Sequence, residues 1–185
     1  ATRGSSRWQA SEGPEVIYRD GYYYLFLAYG SLSVEYNTRV CRSKNIDGPY
    51  VDIHGNSAMG SAQLYPILTA PYRFDNSYGW VGISHCGIFD DGAGNWFYTS
   101  QGRFPVNVGG NEYSNAIMMG HVRSIRWDAN GWPLVMPERY GAVPQAPITE
   151  NEIAGDWEHL ALTNSTGTQR TSETMTYDLD THKIT

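Results

Sequence analysis

The sequence predicts an all-β fold assembled from propeller blades, and three observations carry that prediction. Aromatic-rich runs alternate with Gly, Pro, Asn and Asp, in a chain of 185 residues holding 14 Tyr, 6 Trp, 20 Gly and 9 Pro. Short strands joined by tight turns suit that mixture. An Asp-Gly pair joins the first two runs as a hairpin turn would. The whole pattern then returns at an offset of 71 residues, Gly87 lying over Val16. Several antiparallel strands repeated in this way are the mark of propeller blades.

In chain order, Val16-Ile17-Tyr18 leads through Arg19-Asp20-Gly21 into a second strand, Tyr22 to Tyr29. That second run scarcely alternates, which predicts a strand covered on both faces. Thr38-Arg39-Val40-Cys41-Arg42-Ser43 does alternate and makes a third strand, closed by a turn at Asp47-Gly48-Pro49-Tyr50. Residues 51–80 are a connection with room for an outer strand. Gly87 to Gly92 then repeats Val16 to Gly21, Trp96-Phe97-Tyr98-Thr99 answers the aromatic strand, and Met118 to Trp127 answers the third. Asp128-Ala129-Asn130-Gly131 is its closing turn. Two blades of roughly 40–50 residues fit here, and two cannot close a ring.

After Pro137 the character changes. Pro137, Pro144 and Pro147 punctuate a linker, and new strands follow at Ile153 to Leu162 and Glu173 to Leu179, around a polar turn at Thr163 to Thr168. The expected division is therefore 1–140, propeller blades, and 141–185, the start of a second β-module, with an edge extension of the propeller as the alternative. Ala1 to Arg7 reads as a loop into a pattern already under way, and Asp180-Thr181-His182-Lys183 as a turn whose second strand has barely begun. Both ends look cut.

Composition narrows the function classes. A net charge of -6 provides no basic stripe for nucleic acid. No apolar run approaches the roughly 20 residues of a membrane-spanning helix. Cys41 and Cys86 form no CxxC, and the plain reading is two buried free thiols. The sequon Asn164-Ser165-Thr166 is too common a pattern to decide anything.

Three residues can carry chemistry. Glu12 stands just before Gly13-Pro14 at the start of the first blade, where side chains of different blades converge on a propeller axis. A carboxyl group there, beside Trp8 and under a Tyr-rich strand, is placed for a desolvation-raised pKa and general-acid work. Read alone, Glu-Gly-Pro is a turn. His85 holds the equivalent place in the second blade, where a neutral ring nitrogen can face a cation, or where a core histidine can simply meet a backbone carbonyl. Arg103 follows its strand and can donate paired hydrogen bonds to sugar hydroxyls; a solvated surface arginine is the commoner case. His54, His121, His159 and His182 show no ligand spacing and receive no role.

Taken together these stretches resemble glycoside hydrolase family 43, specifically its endo-arabinanases with an added C-terminal β-module. The likeness rests on Ser11-Glu12-Gly13-Pro14, Tyr22-Tyr23-Tyr24-Leu25-Phe26 and the run Arg39 to Tyr50. It continues in Gly79-Trp80, Ser84-His85, Gly102-Arg103, His121 to Trp127 and Gly131-Trp132-Pro133. Pro137-Glu138-Arg139-Tyr140 and the run Ile153 to Leu162 resemble the junction with the accessory module.

The resemblance implies a five-bladed propeller, of which this chain supplies about two blades. Glu12 then matches the general acid, His85 the histidine facing an axial cation, commonly calcium and largely through water, and Arg103 an arginine near the sugar, with Trp80 a further substrate contact. The base and the aspartate that tunes the acid belong to earlier blades of the same protein, absent here or present as a second chain. The implied reaction is inverting endo-hydrolysis of α-1,5-L-arabinan by a secreted enzyme. An exo-acting arabinofuranosidase or β-xylosidase is the rival within the family, and a non-catalytic sugar-binding propeller the rival outside it. Two departures stand out. Glu15 replaces an aromatic or aliphatic residue and is expected at the surface or rim, and Cys86 replaces a polar neighbour of the histidine.

Overall fold

The computed structural model describes residues 11–59, 64–75, 77–105, 118–143 and 146–185. Trp8 and Pro144 lie outside them. The first sheet is an antiparallel meander of β1 (Glu12–Arg19), β2 (Tyr22–Tyr29), β3 (Asn37–Ser43) and β4 (Ile67–Thr69), hydrogen-bonded in that order. The β1–β2 turn has positive φ at both central residues, Asp20 at 48° and Gly21 at 84°. That handedness matches the twist of the strands, and Arg19 pairs directly with Tyr22 across it. β4 is the outer strand for which 51–80 left room. The next strand in the chain, β5 (Tyr72–Arg73), leaves the sheet, and Tyr72 meets Trp80 in an isolated bridge.

The second meander repeats the first with β6 (Val81–Asp90), β7 (Trp96–Arg103), β8 (Met118–Trp127) and β9 (Pro133–Val135), in that order. Its first turn departs from the expected Asp-Gly hairpin. Asp90 pairs with Trp96, and five residues bridge them because Asp91 organises a wider loop. Its Oδ1 accepts from the amides of Ala93 and Asn95, and its Oδ2 from the Asn95 side chain. Asp52 does the same for His54 and Asn56, and Asp128 for Asn130 and Trp132. A short polar side chain that mimics a backbone acceptor thus closes three turns of the fold.

The two sheets pack face to face. Tyr24, Phe26 and Val40 of the first meet Ile83, Ile88, Tyr98, Ile125 and Trp132 of the second in one buried cluster. On its other face the first sheet is covered too, where Leu27, Tyr29 and Cys41 pack against Ala58 and Leu64. That two-sided burial is why Tyr22–Tyr29 does not alternate. Between the sheets, Tyr24 donates to the Gly131 carbonyl at 2.5 Å. The Arg42 guanidinium lies over Tyr22 and Trp132, 4.3 and 4.2 Å from their ring centres.

Beyond β9 the chain differs from the expected long strand at Ile153. Glu150–Ile153 is a short helix, α1, because Thr149 and Glu152 close its first turn: the Glu152 carboxylate accepts from both the Thr149 amide and hydroxyl. β10 (Gly155–His159), β12 (Glu173–Asp178) and β13 (Lys183–Ile184) form a sheet of their own. β11 (Arg170–Thr171) pairs in parallel with β5, and Leu160 packs against the blade core. No described helix is long and apolar enough to cross a membrane.

Candidate active site

The site is built where both first strands depart from regular pairing. On β1, Glu12 faces Ala28 and Glu15 faces Phe26, so Gly13 and Pro14 together oppose one residue of β2. Such a bulge bends the strand and re-aims the side chain beside it. Gly13 makes it possible with φ +55°, in the left-handed region that suits glycine. β6 carries two bulges in succession, between Val81 and Ser84 and between Ser84 and Gly87. Their left-handed residues are Gly82 at φ 62° and His85 at φ 61°. Histidine is a less natural occupant of that region than glycine, and non-glycine residues held there cluster at functional sites.

These bulges bring Glu12 and His85 together. A Cβ at Gly13 would lie 3.1 Å from the His85 ring. Tyr36, buried at the start of β3's approach, stands between them: its hydroxyl donates to Glu12 Oε1 at 2.6 Å and sits 3.1 Å from His85 Nδ1. Burial first, then the bond to Glu12, raises the Tyr36 pKa far above its ordinary value, so the phenol keeps its proton. The loop carrying Tyr36 is pinned to the bulged strand by the Gly82 amide, which donates to the Val34 carbonyl at 3.1 Å. Behind Tyr36 the Thr38 hydroxyl joins Ser84 at 2.9 Å and Tyr98 at 2.7 Å. This satisfied buried network fixes β3 against β6 and β7.

Arg103 ends β7 opposite Val81 and is buried, with its side chain against the Gly82 bulge. Burial lowers its pKa, and the Tyr36 phenol acts in the opposite direction. The structure therefore gathers Glu12 and His85 around Tyr36, with Arg103 against the first of the two β6 bulges. Trp80 sits in another cluster. Its ring meets His121 edge-on at 4.1 Å and Phe104 at 5.4 Å, and the Arg139 guanidinium lies over it at 5.4 Å.

Glu12 itself is exposed, in contrast to the desolvated setting expected for it. Glu15 is half-buried rather than on the surface, and its carboxylate reaches toward the Ile88 amide at 3.4 Å. Both thiols are free and buried. Burial pushes each up to about 12, with Glu15 adding to the effect at Cys86, so neither is a nucleophile at neutral pH.

Tyr36 is the site residue that sequence reasoning passed over. It precedes Thr38, from which the third strand was counted, and so fell into a loop. The signal was a phenol, apolar body with polar tip, entering a strand whose neighbours face the axis. For a cation the fit is poor. Among the described residues no three His, Cys, Asp or Glu side chains gather as a metal cage. Calcium asks for roughly 6–8 oxygen ligands, and His85 offers one nitrogen, suited at most to the water shell of an ion held from elsewhere.

Two propeller-type meanders, packed face to face with a carboxylate at the first strand of one and a histidine at the first strand of the other, define an axial-site β-propeller protein. The chain belongs to glycosyl hydrolases family 43, which it matches over residues 1–133. It is 30% identical over 169 residues to the extracellular endo-α-(1→5)-L-arabinanase 2 of Bacillus subtilis, covering 80% of this chain and 34% of that one. To the extracellular endo-α-(1→5)-L-arabinanase of Thermotoga petrophila it is 31% identical over 168 residues, with the same coverage of 80% and 34%. The chain thus spans about a third of the length of either relative. Among solved structures, endo-1,5-α-L-arabinanase from Thermotoga petrophila superposes with a TM-score of 0.79 at 27% identity, over 95% of this chain and 42% of that one. The family 43 YxiA protein of Bacillus licheniformis superposes with a TM-score of 0.76, also at 27% identity, over 95% and 42%.

Proposed function

We propose that this chain is part of a secreted endo-acting α-1,5-L-arabinanase and supplies its general acid, Glu12. The observation that carries this reading is the meeting of Glu12, Tyr36 and His85 at opposed bulges. It is supported by family membership and by the likeness to two relatives named as extracellular endo-arabinanases. Glu12 protonates the departing glycosidic oxygen, while Arg103 and Trp80 contact the sugar. Inversion requires a second carboxylate roughly 6.5–9.5 Å from the acid, with room for a water. No residue of this chain is assigned that role, and the base belongs to further blades. Those blades would cover the outer face of the second sheet, where Phe89, Met118 and Val122 are exposed. A calcium ion, if bound, would supply positive charge on the axis through its waters facing His85. Residues 1–140 are the catalytic blades in this reading, and 141–185 open the accessory module.

The test is the product pattern from linear arabinan, with native mass measured alongside. A ladder of arabino-oligosaccharides supports endo action, and arabinose alone would replace it with the exo reading. Binding of arabinan without hydrolysis, by protein whose native mass includes the further blades, would leave a sugar-binding propeller instead.

A further inference from the structure

Glu12 has two oxygens, and only one can face the departing group. The structure distinguishes them. Tyr36 has a single hydroxyl proton, and the bond to Glu12 Oε1 at 2.6 Å is short enough to be the one it makes. The 3.1 Å contact with His85 Nδ1 then needs its proton from the imidazole. We propose that His85 Nδ1–H, Tyr36 Oη–H and Glu12 Oε1 form a one-way donor chain that makes Oε2 the oxygen carrying Glu12's transferable proton. Tyr36 is the positioning residue of this chain, and the inference rests on the reading of Glu12 as the acid.

Three observations make the direction of the chain a property of the fold. The Tyr36 phenol is fully buried, at 0% exposure, and is held 2.6 Å from an oxygen of Glu12. His85 is held by its φ of 61° at the second β6 bulge, and its ring lies against Gly13, where a Cβ would approach to 3.1 Å. With Nδ1 protonated, the lone pair of the neutral ring falls on Nε2. With Oε1 occupied as an acceptor, a proton on Glu12 is driven to Oε2, where no hydrogen bond from the described residues competes with the substrate.

The proton inventory closes. As the glycosidic C–O bond breaks, its electron pair goes to the departing oxygen, which takes the proton from Oε2. Glu12 becomes a carboxylate, and the bond from Tyr36 strengthens as that charge develops. Tyr36 therefore stabilises the transition state more than the ground state, which is what acceleration requires. Water supplies the oxygen at the anomeric carbon, and its proton passes to the base carboxylate of the further blades.

The experiment uses the longest native chain that carries this sequence. Tyr36→Phe is compared with the unsubstituted protein on linear arabinan and on an aryl arabinoside whose phenol leaves readily without protonation. The expected result is a kcat lower by about tenfold on arabinan, the size of one hydrogen bond to a charged group, with KM unchanged and the aryl substrate little affected. Equal losses on both substrates, or none on arabinan, would overturn it. A nitrogen-15 spectrum of the His85 imidazole is the second arm and needs no activity. Nδ1 protonated and Nε2 bare is expected, and the opposite tautomer would overturn the chain even if Tyr36→Phe failed to fold. Glu12→Gln separates the two ideas: full activity there removes the acid assignment, while the imidazole spectrum still decides the donor chain.

Discussion

The two four-stranded sheets share an order and differ in their surroundings and in their first strands. The first is buried on both faces, between the second sheet and the loop that carries Ala58 and Leu64. The second is buried on one, and its other face shows Phe89 stacked on Phe97 at 5.1 Å with Met118 and Val122 exposed beside it. On the first strands, β1 has one bulge and β6 has two. The outer strands pair without such interruptions, apart from one shift between β3 and β4. Regular pairing thus holds most of the scaffold, and three of the four register shifts lie on the strands that aim Glu12 and His85.

The contrast in burial can be broken most severely in the core. Phe26→Ala, at 0% exposure, is expected to lower stability by about 3–5 kcal/mol. Phe89→Ala, at 46% exposure, should stay within about 1 kcal/mol in the chain as described. Denaturant midpoints of the two variants measure the difference. Equal effects would mean that the second sheet's outer face is covered.

His121 gives a pH test of the second sheet. Burial, helped by Arg123 and Arg139, lowers its pKa to about 4 from the ordinary 6.5. The unfolded chain therefore takes up a proton that the folded chain refuses. Stability should be fully present above about pH 6.5 and fall as pH drops toward 4, by up to about 3 kcal/mol. His121→Gln should flatten that part of the melting-temperature profile.

Glycines sharpen the comparison between bulge and turn. Gly13→Ala places a Cβ 3.1 Å from the His85 ring at φ +55°, whereas Gly92→Ala meets open space at φ +72°. Both carry left-handed strain of about 1 kcal/mol, and only the first should also lower kcat by displacing the imidazole from Tyr36. The smallest effect belongs to Tyr24→Phe, which removes the 2.5 Å bond to Gly131 between the sheets. Roughly 1 kcal/mol is expected in thermal unfolding, with activity unchanged.

Much of this was legible in the sequence, and the exceptions have physical causes. The Asp20-Gly21 hairpin, the two-sided strand Tyr22–Tyr29 and the strand Met118–Trp127 follow from turn chemistry and periodicity, which are local. The wide loop after Asp90 was not, because Asp91 and Asn95 overrode an Asp-Gly signal by bonding across four residues. Thr149 and Glu152 form a capping box, a local signal for a helix start that the strand reading from Ile153 did not use. In the site, Glu12, His85 and Arg103 could be chosen by position and resemblance. The meeting of Glu12 and His85 depends on three bulges and on Tyr36, and bulges leave little trace beyond a glycine. Glu15 turns inward for the same reason: its expected direction assumed a regular strand, and the bulge at Gly13 and Pro14 precedes it.

That pair of carboxylates offers the most direct test. Initial rates on linear arabinan should be measured for Glu12→Gln and Glu15→Gln in the same native chain. Glu12→Gln is expected to lose about 10²–10⁴-fold in kcat, the range of a general acid, while Glu15→Gln stays within a few fold. A Glu12→Gln protein that keeps its rate, or a Glu15→Gln protein that loses as much, would contradict the assignment of the acid to the bulge that faces His85.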